Sequence, residues 1–367
     1  MSRVSEGPLG RTAVQWPPTW IVALLAAFTT ASHADDVIIL RSKLPVKDRK
    51  VEVLDPDGVH ISGGTILAWE DIDSGRLDHD QDRFDAMLKD LGGPLYQIGR
   101  SLKQGEHAAA LESAERLFPL YVSRRSRTAH TVAQALMWGL LNKGQRERSV
   151  LPFLVVMECQ RAARERVPPP GTRRLNLDLS TGLSHDLLPL FLNATAAREV
   201  LPEVRRFISG MASPVPPGVR LLVAGLAIAA LELDGAATEL AQLGEVSKEV
   251  IEWHQALAAR LDGARGRPAA ATIAQYQRLL ASETELVRLF AHYSLGETRV
   301  AQADEETRRS GVIDLLYLPA VYPNHQPDLT AAALDLAART LEDLGDPEAK
   351  LLRKGPQTRA SAGQGPG

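Results

Sequence analysis

The stretch SLKQGEHAAALESAERLF, residues 101–118, predicts two helices joined by a tight turn at Gly105. Apolar residues recur every three to four positions on both sides of this glycine, which is the spacing of one face of an α-helix. The stretch GLLNKGQRERSVLPFLVV, residues 139–156, repeats the pattern around Gly144, 39 residues further along. Similar joints are predicted at two later glycines, Gly235 and Gly345. The sequence therefore predicts helical hairpins that bury their apolar faces against one another.

The helical pattern covers most of the chain. Candidate helices follow one another from Arg83 to Leu344, and glycine or proline occurs in many of the connections. One candidate helix is the apolar stretch SHDLLPLFLN, residues 184–193. The chain is therefore predicted to be mainly α.

This organisation resembles the tetratricopeptide repeat (TPR), a helix-turn-helix unit that stacks into an αα-solenoid. Ala110 matches the small residue early in the second helix of such a repeat, and Phe153 matches its later aromatic residue. The Trp-x-x-Leu-Gly start of the repeat is missing, and Pro119 and Pro152 fall inside the expected second helices. The resemblance implies a TPR-like helical array over residues 78–354, and it implies no binding residues.

A small β module is expected before the helices, over residues 35–77. In KVEVLDPDGVHI, residues 50–61, apolar and polar residues alternate around an Asp-Pro-Asp-Gly turn, a pattern that predicts a hairpin. Further strands are predicted at VIIL, residues 37–40, and from Ile66 to Ile72. With roughly 40 residues, this antiparallel module is SH3-like in size and needs neighbouring helices for its stability.

The chain as a whole is also similar to uncharacterised exported proteins of planctomycete bacteria. Those proteins combine a short β module that contains a Trp-Glu-Asp strand, here residues 69–71, with degenerate helical repeats. This similarity implies export and the same architecture, and it implies no activity.

Both ends of the chain are predicted to lie outside the folded part. Residues 1–34 are typical of a secretory signal peptide, with the apolar run WIVALLAAF followed by Ser32 and Ala34 at a cleavage site. The apolar run is shorter than the ~20 residues that span a bilayer, so we expect no stable membrane span after cleavage. The protein is thus expected to be exported to the periplasm or cell surface. Residues 355–367 are rich in Gly and polar residues and predict a disordered tail.

Three alternating aspartates suggest a weak candidate for a metal site. Asp78, Asp80 and Asp82 lie in LDHDQDRFD as if to surround a calcium ion. An EF-hand loop needs a glycine at its sixth position and a glutamate at its twelfth, where this chain has Arg83 and Lys89. We therefore expect no metal here, and Asp80 or Asp82 to cap the first helix instead.

Three aromatic residues are candidates for ligand binding. Trp69 either fills the core of the β module, as a ring of ~150 to 250 Å² can, or forms an exposed platform for a sugar or peptide. Tyr322 and His325 lie close together in VYPNHQPDL, residues 321–329, which is either a ligand-binding loop or the start of a helix.

The sequence leaves three functions open. A net charge of −3 favours no nucleic-acid partner, and no metal-binding, nucleotide-binding or nucleophile motif is present, so no cofactor is expected. We expect a non-catalytic scaffold that binds another envelope protein, because this function needs nothing that the sequence lacks. The alternatives are a carbohydrate- or peptide-binding protein that acts through its β module, and an envelope hydrolase or lyase with paired carboxylates. The oligomeric state is left open.

Overall fold

A computed structural model describes most of the chain. The described residues are 36–47, 49–163, 171–244, 246–323 and 326–354. The leader and tail predicted at residues 1–34 and 355–367 lie outside them. Within them, the prediction of a mainly helical protein with a small antiparallel β region near its N-terminal end is confirmed.

The β region consists of two three-stranded antiparallel sheets. Its strands are β1 (Val37–Leu40), β2 (Pro45–Val46), β3 (Val51–Asp55), β4 (Gly58–Ile61), β5 (Thr65–Leu67) and β6 (Ile72–Arg76). The sheet orders are β2-β1-β6 and β3-β4-β5. The prediction of a single strand from Ile66 to Ile72 is wrong, because a 3-10 turn at Trp69–Asp71 separates β5 from β6. This turn redirects the chain, so that β6 pairs with β1 rather than extending the sheet of β5.

The helices follow in sequence after the β region. They are α1 (Gln81–Met87), α2 (Gly93–Gln104), α3 (His107–Tyr121), α4 (Arg127–Asn142), α5 (Arg146–Ala162), α6 (Ala194–Ser209), α7 (Pro217–Ala230), α8 (Leu233–Ala241), α9 (Lys248–Ala264), α10 (Ala269–Leu279), α11 (Glu285–Val300), α12 (Glu305–Val321), α13 (Pro327–Asp343) and α14 (Ala349–Lys354). A π-helical turn, Leu88–Gly92, joins α1 to α2, and a short hairpin of β7 (Leu177–Asp178) and β8 (Leu183–Ser184) precedes α6. Among the described residues, none of the helices is both long and apolar enough to cross a bilayer.

Glycines end the helices at three of the four predicted joints. Gly105, Gly144 and Gly345 have φ angles of 75°, 69° and 73°, the left-handed conformation that ends a helix and favours glycine. The joint predicted at Gly235 is wrong, because Gly235 lies inside α8 and the chain turns earlier, at Leu231 with a φ of 65°. A Cβ atom on Gly235 would lie 2.6 Å from the end of the flexible Arg205 side chain, which could move aside, so this position does not require a glycine.

Helices that are neighbours in sequence pack against each other from α2 to α14. Contacts also join alternate helices, so that α5, α7, α9, α11 and α13 form one continuous layer, which we call the alternate layer. Alanine and leucine side chains fill most of the core between these helices. The apolar periodicity of the sequence therefore accounts for the packing between neighbours.

The β region contacts the helices through a surface that we call the seam. Trp69 lies in the seam with no exposed surface, and its ring centroid is 5.7 Å from that of Phe84 in α1. Its indole Nε1 donates a hydrogen bond to the carbonyl oxygen of Asp55 at 2.7 Å. On the helical side, Tyr121 Oη donates to the carbonyl oxygen of Pro56 at 2.5 Å. The β region and the first helices therefore share one core.

Candidate functional site

Trp69 is a buried residue of the seam. Its ring is fully enclosed and its one polar atom is hydrogen-bonded within the protein, so it presents no platform to a ligand in this structure. The position agrees with the packing interpretation of Trp69.

Tyr322, the other aromatic candidate that the structure describes, is also buried. Tyr322 is only 6% exposed, and its ring packs edge-on against that of Tyr317, with the centroids 6.0 Å apart. His325 lies outside the described residues. Their pairing at a ligand site therefore stays a prediction.

The three aspartates before and within α1 are not held together by shared contacts. The backbone N–H of Asp78 donates to Asp36 Oδ1 at 2.8 Å, which ties this loop to the start of β1. Asp80 precedes α1 with a left-handed φ of 62°, but its side chain makes no capping hydrogen bond. Instead, Gln81 Oε1 accepts from the N–H of Leu77 at 2.7 Å. Within the described part of the chain, no three or more His, Cys, Asp or Glu side chains are grouped as metal ligands.

The stretch 184–193, predicted as a helix, is an irregular buried segment. Pro189 lies in its middle, but α3, α5, α6 and α12 each contain an internal proline, so Pro189 alone does not account for the missing helix. Four apolar side chains are at most 2% exposed, those of Leu187, Leu188, Leu190 and Phe191. The burial of these four side chains therefore explains an apolar run that resembles a helical face. The next residue, Leu192, is 38% exposed and opens onto a pocket.

A buried ion pair joins the two ends of the alternate layer. Arg146, the first residue of α5, donates from Nε and Nη2 to the carboxylate of Asp328 in α13 at 2.6 and 2.7 Å. Nη2 also donates to Gln326, whose amide donates in turn to the carbonyl of His185 at 2.7 Å. Arg146 is 6% exposed and Gln326 is 3% exposed. We call this contact the Arg146 junction.

The Arg146 junction keeps its acidic partner ionised. Burial alone would raise the pKa of Asp328, but the Arg146 guanidinium and neighbouring backbone N–H groups outweigh burial and lower that pKa. The remaining guanidinium nitrogen, Nη1, is buried and has no hydrogen-bond partner among the described residues. The junction thus holds a fixed pair of charges beside the irregular segment.

A second buried carboxylate holds the start of α6. Glu147 is 4% exposed, and its Oε1 accepts from the backbone N–H groups of Leu192 and Asn193 at 2.9 and 2.8 Å. Asn193 then caps α6 by accepting from the N–H of Ala196 at 3.1 Å. These contacts fix the position of Leu192 at the end of the irregular segment.

Two pockets adjoin at Leu192. The Arg146 pocket has a volume of about 440 Å³ and is lined by the first turns of α5, α6 and α13 together with Leu188 and Leu190. The Arg260 pocket has a volume of about 430 Å³ and is lined mainly by the last turns of α7, α9 and α11 and by α10. Leu192 lines both, and we call the combined cleft the Leu192 groove. Every helix of the alternate layer therefore contributes an end to the groove.

The carboxyl groups whose pKa is raised by burial lie outside the groove. Burial raises the pKa of two carboxyl groups, Glu70 and Asp314, but neither lines the groove. In the Arg260 pocket, Arg260 donates to Glu297 at 2.7 Å, so this carboxylate is already paired. Apolar walls with a few fixed polar groups are typical of ligand pockets.

Few residues of this groove could be predicted from the sequence. Arg146 and Glu147, at the start of α5, lie in a charged stretch of ordinary composition. The residues that they contact lie far along the chain. Pro189 was the one local signal against a helix at residues 184–193.

Comparisons with protein-family models, with curated proteins and with solved structures each found no match.

Proposed function

We propose that this is an exported, non-catalytic αα-repeat scaffold that holds a segment of another envelope protein in the Leu192 groove. The observation that carries this proposal is the convergence of all five helices of the alternate layer on two adjoining pockets. A cleft built from several repeats is the usual binding surface of stacked helical proteins.

The proposed architecture is a curled TPR-like array. Contacts between alternate helices support stacking of helical hairpins, and the Arg146 junction supports a strong curvature, because it joins residues 182 positions apart. An open solenoid makes contacts only between neighbouring repeats. We propose that the curvature forms the groove.

For the β region we propose an SH3-like module with a structural role. The support is its strand order, in which β1 lies between β2 and β6, and a 3-10 turn that precedes the last strand. The burial of Trp69 argues against a ligand platform on this module. The hydrolase alternative has no comparable support, because neither carboxyl group with a raised pKa lines the groove.

Site-specific photo-cross-linking in the native host would test the proposed function. A photoreactive amino acid at Leu192 should yield a discrete adduct with an envelope protein. The matched control is Leu44, a leucine of the β region that is 63% exposed and should yield no adduct. Equal adducts at both positions, or none at Leu192, would contradict the proposal.

Export is tested separately. Mass spectrometry of the protein from envelope fractions should find a mature N-terminus near Asp35. An intact leader on protein that stays in the cytoplasm would contradict the proposed export.

A further inference from the structure

Three helix N-termini converge on the Arg146 pocket. Its lining includes Arg146 at the start of α5, Ala194 and Thr195 in the first turn of α6, and Leu329 in the first turn of α13. These helices are 17, 16 and 17 residues long, so each carries a macrodipole whose positive end lies at the pocket. Backbone N–H groups in a first turn have no partner within their own helix, and they can donate to a ligand.

The caps of these helices leave backbone donors open. Asn193 accepts from the N–H of Ala196, and the N–H groups of Ala194 and Thr195 in the same turn have no acceptor among the described residues. The side chain of Gln145, which precedes α5, makes no capping hydrogen bond. The polar groups that the helix ends offer to the pocket are therefore hydrogen-bond donors.

One guanidinium nitrogen of Arg146 adds an unpaired donor to the same pocket. Arg146 uses Nε and Nη2 to bind Asp328, which leaves Nη1 on the side of the guanidinium away from this carboxylate. The Arg146 side chain is 8% exposed and lines the pocket, and Nη1 makes no hydrogen bond to any residue that the structure describes. A buried donor without an acceptor costs free energy, and a ligand oxygen would supply the missing acceptor.

The charges around the pocket favour a singly charged acceptor. Arg146 is positive, whereas Asp328 and Glu147 are negative, which leaves one formal negative charge among these side chains. The three helix N-termini contribute roughly half a positive charge each and offset it, but they would not also offset the two charges of a phosphate. Both carboxylates already accept hydrogen bonds within the protein. The ligand should therefore supply an acceptor with one negative charge, as a carboxylate does.

We propose that the Arg146 pocket binds a small monocarboxylate with an apolar tail. The carboxylate would face Arg146 Nη1 and the first turn of α6, and the tail would lie against Leu192, which is 38% exposed at the pocket. The volume of about 440 Å³ lies in the range of small-molecule sites. This ligand goes beyond the proposed function, because the purified protein should bind it without any envelope partner.

Isothermal titration calorimetry with the purified protein can test this chemistry. Octanoate should bind, and octanamide, which keeps the tail and an acceptor but lacks the charge, should bind about tenfold or more weakly. Acetate, which lacks the tail, should also bind about tenfold or more weakly than octanoate. Octyl phosphate tests the preference for one charge. A terminally blocked peptide of the sequence Ser-Leu-Glu-Leu-Ser presents a carboxylate on a polypeptide, and it should bind more weakly than octanoate.

Matched variants assign the binding to the pocket. Ala332 lines the pocket, whereas its neighbour Ala331 is exposed and lies outside the lining. Ala332→Phe should fill the pocket and weaken octanoate binding by about tenfold or more. Ala331→Phe should leave the binding unchanged. The double variant Arg146→Met with Asp328→Leu removes Nη1 together with its acidic partner, so it should bind octanoate no better than octanamide.

Four results would each overturn the inference. They are an absence of octanoate binding, equal binding of octanoate and octanamide by the parent, tighter binding of octyl phosphate or of the peptide, and unchanged octanoate binding by Ala332→Phe. If octanoate fails to bind while the photo-cross-link at Leu192 forms, this inference is wrong and the proposed function stands. If octanoate binds and the cross-link is missing, the proposed function alone is wrong.

Discussion

The seam and the Leu192 groove are both places where distant parts of the chain meet, but they differ in what they leave exposed. In the seam, Trp69 and Tyr121 are fully buried and their polar atoms are hydrogen-bonded across the contact. In the groove, the charges are paired while Leu192 remains 38% exposed at a pocket. Residues that are buried and hydrogen-bonded within the chain, as in the seam, stabilise the fold. An apolar side chain left exposed beside a pocket, as in the groove, can contact a partner.

A substitution of Trp69 in the seam should cause the largest loss of stability. Trp69→Ala removes a fully buried ring and a hydrogen bond, and it should lower the free energy of unfolding by ~3 to 5 kcal/mol. Guanidinium denaturation measures the effect, and Trp69→Phe is the control that should lose much less. A Trp69→Ala protein with parental stability would contradict the assignment of Trp69 to a shared core.

A substitution of Arg146 in the Arg146 junction should cause the next largest loss of stability. Arg146→Met leaves the Asp328 carboxylate and the Gln326 amide without their donor, which should cost ~3 kcal/mol. The double variant Arg146→Met with Asp328→Leu should recover part of this loss, because no uncompensated charge then remains. A single variant as stable as the double variant would show that the junction does not hold α5 to α13.

Replacing the carboxyl group of Glu70, near the seam, should change the stability by a smaller amount. Burial raises the pKa of Glu70, and its Oε2 has no hydrogen-bond partner among the described residues. Because the folded-state pKa lies above the unfolded value of ~4.3, the parent should lose stability as the pH rises through the folded-state pKa. Glu70→Gln should remove this loss, so it should be more stable than the parent at neutral pH and show a smaller advantage in acid.

The control for Glu70 is Glu52→Gln, a change at an exposed position of β3. Urea denaturation between about pH 4 and pH 8 separates the two variants. If the stability of Glu70→Gln relative to the parent does not change with pH, the carboxyl group of Glu70 is not desolvated.

Substitutions of the aspartates beside α1 should change the stability least. Asp78→Asn and Asp82→Asn change exposed side chains and should alter the free energy of unfolding by no more than ~0.5 kcal/mol. Chelator should leave the melting temperature of the parent unchanged. A shift of several degrees that calcium reverses would show that these aspartates bind a metal after all.

The sequence predicted those parts of the fold that depend on local chemistry. Gly105 and Gly144 were identified as turns because a left-handed residue between two apolar periodic stretches is a local requirement. Gly235 misled the prediction, because a glycine can also lie within a helix, and the left-handed residue of this turn is Leu231.

The groove could not be predicted for a related reason. The run at residues 184–193 is apolar because residues 187–191 are buried, and a short apolar run does not distinguish a buried irregular segment from a helix. The pairing of Arg146 with Asp328 depends on how the helices curve together, which no local pattern encodes.

The most direct test of the central claim measures stability and binding together for one residue in each region. Leu192→Asp should stay folded at the assay temperature, with a melting temperature somewhat below the parent's because Leu192 is only 38% exposed, but lose the ability to compete with the parent for the envelope protein that cross-links at residue 192. Trp69→Phe should keep that ability, because the seam lies outside the groove. A Leu192→Asp protein that still competes fully with the parent would contradict the claim that the Leu192 groove is the binding surface.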